Sequence, residues 1–279
     1  MRTMLHMNQT SGGLSGRIAL VTGAGSGLGA AVARRLASDG AYVVVNDIAA
    51  EAARAVADEV GGEVAIFDVS NPDAFDDAID RVVATHGRID ILVNNAGIAP
   101  PNDAIRTEQT ILNQIARAEG RIADLVPSDS TVNLSDGEWD RMIKVHLYGT
   151  FHGTRAALRH MTPARSGTIV NISSVLGLRP APGVMHYAVA KAGILALTKA
   201  VGQEVAAFGV RVNAVCPGWV DTPLLSFVDP LVMSAIISQV PAGRMAHADE
   251  MAGVVRFLAG PESSYCNGDV FTSSGGVAV

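Results

Sequence analysis

Six short apolar runs, RIALVT at 17–22, AYVVVND at 41–47, EVAIFDV at 63–69, IDILVNN at 89–95, TIVNISS at 168–174 and VRVNAV at 210–215, recur through the chain. Several are β-branched and apolar without polar alternation, so a strand made from them has no face to offer water. Such strands fit the middle of a parallel sheet covered on both sides. The stretches between them, Leu28–Ser38, Ala49–Val60, Asp73–Thr85, Glu138–His160, Tyr187–Ala207 and Asp249–Leu258, read as the covering helices. The alternation predicts an α/β fold, a doubly wound sheet with helices on both faces and right-handed crossovers. At 279 residues one core can hold the whole chain, which predicts a single domain.

Composition narrows the partners. A formal charge of −6 provides no basic field for a phosphate backbone, so a small molecule is expected rather than nucleic acid. Cys216 and Cys266 lack metal-ligand or disulfide-framework spacing, which argues against a metal and for a reducing cytoplasm. Residues 1–14 read as a flexible extension without the apolar core of a signal peptide, leaving 15–279 as the domain. No run approaches the roughly 20 apolar residues that span a bilayer, so no membrane association is expected.

Ala99 to Asp136 breaks the rhythm, because connections this long usually carry function or structure of their own. Ile111, Leu112, Ile115, Ile122, Leu125 and Val126 recur there at roughly helical spacing, which predicts one or two helices within an insertion at about 99–136. A packed surface insertion and a lid or substrate wall both fit.

Directly after the first run comes Thr22-Gly23-Ala24-Gly25-Ser26-Gly27-Leu28-Gly29, leading into a helix. Glycine lets a backbone approach a pyrophosphate, and the free N–H groups of the following helix favour the anion. Glycine turns alone are common, but this one has the strand-turn-helix context of a Rossmann-type sheet. The second run then ends in Asn46-Asp47, where a carboxylate can bind ribose hydroxyls and repel a 2′-phosphate. Neither Ser26 nor Ile48 supplies the basic group that such a phosphate needs, so NAD is the expected cofactor. Asp47 could also cap the Ala49–Val60 helix.

Tyr187 and Lys191 stand four apart at the start of a helix and so share a face. A nearby ammonium would pull a phenol down toward a working acid/base range. Ser174, at the end of the fifth run, could donate to a substrate oxygen as charge develops there. Each residue has an ordinary alternative: a packed ring, a solvated lysine, a turn serine. Their joint spacing beside a nucleotide turn is what points to chemistry.

With these residues in place, the chain resembles the short-chain dehydrogenase/reductase family from about Gly16 to Gly276. The likeness rests on the glycine turn, Asp68-Val69, Asn94-Asn95-Ala96-Gly97, the Ser174, Tyr187 and Lys191 set, and Pro217-Gly218 with Thr222. It implies that Gly23, Gly25, Ser26, Gly27, Leu28, Gly29, Asp47 and Ile48 hold the adenosine and pyrophosphate. It further implies that Asp68 and Val69 touch the adenine, Asn94 to Gly97 line the cleft, and Lys191 holds the nicotinamide ribose. Pro217, Gly218, Val220 and Thr222 would pack on the carboxamide and pyrophosphate region, and residues 223–245 would form a substrate loop. Leu224, Leu225, Phe227, Leu231 and Met233 could then cover an apolar ligand, or form oligomer contacts.

The implied activity is interconversion of a secondary alcohol and a ketone, with Tyr187 moving the proton, Ser174 steadying the oxygen and nicotinamide C4 carrying the hydride. The apolar flanks Val175, Leu176, Leu178, Val184 and Met185 point to a steroid- or terpenoid-like substrate; a 3-oxoacyl-thioester reductase is the nearest alternative, which Asp47 disfavours if NADPH is required. A non-catalytic NAD-binding scaffold is a reading of another class. His146 stands where the family usually has the asparagine of its catalytic tetrad, so its ring is expected to pack rather than relay protons. The resemblance also implies a homotetramer built through the Glu138–His160 and Tyr187–Ala207 helices and the end of the chain.

Overall fold

Leu20, Val44 and Leu92 point to one side of their strands and Ala19, Val21, Val43, Val45, Ile91 and Val93 to the other, all within 1% of complete burial. A strand turns alternate side chains to opposite faces, so runs without polar alternation demand a helix layer on each side. The computed structural model describes residues 13–100, 104–127, 129–226 and 230–277. Its strands are β1 (Ile18–Val21), β2 (Tyr42–Asn46), β3 (Glu63–Ala65), β4 (Ile91–Asn94), β5 (Gly167–Ile172), β6 (Val210–Pro217), β7 (Val220–Asp221), β8 (Ala246–His247) and β9 (Val270–Ser273). Its helices are α1 (Gly27–Ser38), α2 (Ala50–Val60), α3 (Pro72–His86), α4 (Ala104–Ala118), α5 (Asp136–Ile143), α6 (Gly149–Ala164), α7 (Val175–Leu178), α8 (Met185–Val205), α9 (Pro230–Ser238) and α10 (Ala248–Ala259).

Seven strands pair in parallel in the order β3-β2-β1-β4-β5-β6-β9, and β7 pairs with β8 apart from them. Helices α1, α2 and α10 cover one face through Val32, Leu36, Val56 and Val255; α3 and α6 cover the other through Phe75, Ile79 and Met161. The chain steps outward from β1 to β3 and returns to place β4 on the other flank of β1. Loops leaving β1 and β4 therefore part in opposite directions, opening a crevice at their carboxyl ends. The helices of this frame are closed by local signals: the Asn71 side chain accepts from Asp73 N at 3.1 Å and Ala74 N at 3.2 Å to start α3, and Gly87 ends it at φ 76°.

Several expectations shift. β3 stops at Ala65, so Asp68 and Val69 lie in a loop, and β9 is a seventh strand that the six runs did not include. The single helix expected over Glu138–His160 is α5 and α6 separated by a wide π turn, Lys144–Tyr148, and Ser135 and Glu138 form a reciprocal cap at its start. Leu14, assigned to the extension, is 1% exposed and donates its N–H to the Asp39 carbonyl at 3.2 Å, so burial ties it to the domain. The insertion does contain a helix, α4, followed by a short 3-10 turn at Ile122–Asp124. Phe227 lies outside the described residues, as does the side chain of Leu231. Among the described residues no helix is long and apolar enough to cross a membrane.

Candidate active site

The crevice is a cleft of about 1660 Å³ that runs from Asp47 and Asp68 past Tyr187 to Leu112 and Ile236. At the first end the glycine turn is shaped by what lies behind it. A side chain on Gly23, which sits at φ +61°, would meet the Ala96 backbone at 2.7 Å, and one on Gly29 would strike the Gly23 carbonyl oxygen. The turn is also tied to the neighbouring strand: Thr22 Oγ1 accepts the N–H groups of Asn95 and Ala96 at 3.0 Å each, while Asn95 Nδ2 donates to the Thr22 and Gly23 carbonyls. The Ser26 side chain makes no capping bond and the first turn of α1 carries no acidic residue, which leaves that positive end to an anion. A cradle that a Cβ would fill, facing a helix start without a competing carboxylate, fits a dinucleotide pyrophosphate.

Asp47 ends at the cleft and does both things the sequence allowed. Its Oδ2 accepts from Gly25 N at 3.0 Å and its Oδ1 from Ala49 N at 3.0 Å. A carboxylate has about four acceptor positions, so ribose hydroxyls can still be accommodated. Gly25 itself does not line the cleft, and its N–H is committed to Asp47. Its expected place among the cofactor contacts becomes one of holding the turn against the end of β2. Ser26, Gly27, Leu28, Ile48, Asp68, Val69, Asn95, Ala96, Gly97, Pro217, Gly218, Val220 and Thr222 all border the cleft. Asn94 does not: it is 5% exposed, and its Nδ2 faces Thr154 Oγ1 and Asn171 Oδ1 beneath the floor.

The structure brings Ser174, Tyr187 and Lys191 together. Ser174 lies two residues past β5 and caps α7, accepting from Leu176 N at 3.1 Å. Tyr187 and Lys191 lie in the first turns of α8, with Lys191 Nζ 5.6 Å from the Tyr187 ring centre. Lys191 is buried and donates to the Ile172 carbonyl at 2.8 Å, while Ser173 Oγ donates to the Lys191 carbonyl at 2.8 Å. Here burial overrides the expected electrostatics. It raises the Tyr187 phenol above its ordinary value, opposed by the hydrogen bond with Ser174, and it lowers the Lys191 ammonium to about 7. The phenol is therefore held protonated, not pulled down toward neutrality.

His146 sits inside the π turn, 2% exposed, with its ring edge-on to Tyr187 at 5.3 Å between centres. Its Nε2 lies 2.9 Å from the carbonyl oxygen of Ile98 and 3.1 Å from its nitrogen, and Nδ1 has no partner. Burial, then the nearby Lys191 charge, hold its pKa well below the ordinary histidine value, so the ring is neutral. The ring packs against Tyr187 and also latches onto the Ile98 main chain. The main-chain carbonyl of His146 accepts from Thr150 Oγ1 at 2.8 Å.

Some contributors carried no sequence signal: the Ile172 carbonyl is visible only once β5 and α8 meet, and Ser173 is told from Ser174 only by its hydrogen bond to the Lys191 carbonyl. His186, buried with an unpartnered Nε2 and lining the cleft next to Tyr187, could have been noticed from its position. A serine and a tyrosine hydroxyl, a buried lysine and a cradle for an anion in one cleft can bind a dinucleotide and exchange a proton with a substrate oxygen.

A sequence profile of the family described as short chain dehydrogenase matches residues 17–230. The 3-oxoacyl-(acyl-carrier-protein) reductase FabG of Thermotoga maritima is 34% identical over 271 residues, covering 95% of this chain and 99% of that one. The cis-4-hydroxycyclohexanecarboxylate dehydrogenase of Sinomonas cyclohexanicum is 38% identical over 266 residues, covering 93% and 96%. A crystal structure described as ribose-5-phosphate isomerase from Brucella melitensis 16M superposes with a TM-score of 0.83 at 33% identity, covering 97% of this chain and 95% of that one.

Proposed function

The chain belongs to the short-chain dehydrogenase family, and from that premise we propose that it reduces the ketone of a 3-oxoacyl thioester to an alcohol. It is an oxidoreductase of CH–OH groups that works with a nicotinamide cofactor. The observation that carries the reading is that Ser174, Tyr187 and Lys191 meet in the cleft: desolvation raises the Tyr187 phenol above its ordinary value, so it holds a proton that it can give to a carbonyl oxygen. Ser174 donates a hydrogen bond to that oxygen as negative charge builds on it. Lys191, near 7 and adjacent to the phenol, returns a proton once Tyr187 has given its own up. When bound, the nicotinamide supplies the hydride that the carbonyl carbon accepts.

NAD is the form we favour, because the Asp47 carboxylate stands at the end of β2 and no basic side chain follows it. The relatives weigh toward an acyl thioester rather than the steroid- or terpenoid-like substrate that the apolar flanks suggested. A second reading, oxidation of an alicyclic hydroxy acid, draws on the 38% identical dehydrogenase. The free thiols of Cys216 and Cys266 support a reducing compartment such as the cytoplasm, and the exposed Tyr148, Phe151 and Val189 support a homotetramer through α6 and α8, which light scattering can check.

Acetoacetyl-N-acetylcysteamine and cis-4-hydroxycyclohexanecarboxylate, each with NAD(H) and NADP(H), separate these readings. Faster thioester reduction with NADH is the expected result. Turnover of the ring alcohol alone would replace the first reading with the second.

A further inference from the structure

The two features that set this chain apart in sequence, the long insertion and His146, meet in the structure. The described side chains of helix α4 are placed inside out. Asn113 and Ala116 are buried, whereas Leu112 and Ile115 are about half exposed and border the cleft. An amphipathic helix ordinarily hides its apolar stripe, so leucine and isoleucine turned to an open cleft need something else to cover them. The buried asparagine is fully used: its Oδ1 accepts from Val126 N at 3.0 Å and its Nδ2 donates to the Val126 carbonyl at 2.5 Å. It pairs with the returning chain as a neighbouring strand would, and so fastens α4 to the far arm of the insertion.

His146 fastens the near arm. Its Nε2 is within hydrogen-bond reach of both main-chain groups of Ile98, the last residue before the insertion begins. Only glycine fits at 97, where a Cβ would lie 2.5 Å from His146 Cε1. The same ring rests edge-on against Tyr187, so the root of the insertion and the proton-donating phenol share one support. Across the cleft, Leu224, Leu225 and Ile236 provide a second apolar side. A tail lying between the two would leave the carbonyl end beside Ser174 and Tyr187.

We propose that helix α4 of the insertion is the wall that selects acyl-chain length: Leu112 and Ile115 pack on the aliphatic tail, with His146 and Asn113 as positioning residues that hold the wall in place. The assignment of a tail rests on the acyl-thioester reading; the wall itself can be tested without it.

The experiment compares acetoacetyl- with 3-oxodecanoyl-N-acetylcysteamine in the full-length protein. In Leu112→Ala/Ile115→Ala the ratio of long-chain to short-chain KM is expected to rise about tenfold with the ratio of kcat values unchanged. Asn113→Ala and His146→Leu should move the KM ratio the same way by about threefold, with His146→Asn restoring it only if a side-chain hydrogen bond to Ile98 is remade. Calorimetry with the saturated butyryl and decanoyl thioesters reads the same preference without turnover. An unchanged ratio in both assays overturns the proposal, and so does a changed oligomer mass with unchanged ratios, which would give the Leu112 face to a second copy of the chain. If wild type reduces neither ketone, the acyl-thioester reading fails, while the two binding ratios still decide the wall.

Discussion

At the Asp47 end the cleft is walled by main chain that hydrogen bonds from adjacent strands of the sheet hold in place; at the Leu112 end it is walled by side chains from an insertion, a loop before α8 and the segment after β7. The first end is rigid because each piece is tied twice. Thr22 joins the glycine turn to Asn95 and Ala96, and Asp47 joins it to the end of β2. The second is fastened at a few points, chiefly His146 to Ile98 and Asn113 to Val126. A site that must hold the same cofactor through every turnover gains from preorganisation, whereas a substrate wall can vary without disturbing the sheet.

The comparison breaks most decisively at the junction of the two ends. Tyr187→Phe should lower kcat by about 10³-fold with little change in cofactor affinity, as measured by steady-state rates and NADH fluorescence titration. Retained turnover would remove the phenol from the mechanism. Next in size, Gly29→Ala should cost about 1–3 kcal/mol in urea unfolding and weaken cofactor binding, because its new methyl is driven into the Gly23 carbonyl oxygen.

Lys191 gives a pH test of the same junction. Its folded value is depressed to about 7 from 10.5, so within that window the unfolded chain holds a proton that the folded chain lacks, and stability rises with pH. From about pH 7 to about pH 9 the unfolding free energy of wild type should therefore gain on that of Lys191→Met by on the order of 2 kcal/mol. An equal response of the two proteins would mean that burial does not neutralise the amine. At the cofactor end, Asp47→Asn should reduce the preference for NADH over NADPH by about tenfold, a difference of about 1.4 kcal/mol, read from kcat/KM with each cofactor. The smallest change belongs to the other end: Leu112→Ala should alter global stability by no more than about 0.5 kcal/mol, since the side chain faces the cleft.

The legible parts share a physical cause. The strand runs, the glycine turn, the Tyr187 and Lys191 pair and the helix inside the insertion were readable because each depends on spacing within a few residues, which strand and helix periodicity fix. β9 was not, because Val270–Ser273 is a short, only partly buried edge strand whose pairing with β6 is what makes it one. The π turn was missed because its extra residue leaves no mark in apolar periodicity. Gly25 and Asn94 carried the right motif letters, yet their polar groups are spent on Asp47 and on the floor beneath the cleft.

By itself the sequence determined the layered α/β plan, the place of the glycine turn and which three polar side chains meet in the cleft, since all of these follow from local pattern and burial preference. Tertiary structure alone decided that burial raises Tyr187 and lowers Lys191, that His146 grips Ile98, and that Leu112 and Ile115 face a cleft instead of a core. Solvent exclusion and contacts between distant segments set those outcomes, and neither exists until the sheet has closed around them.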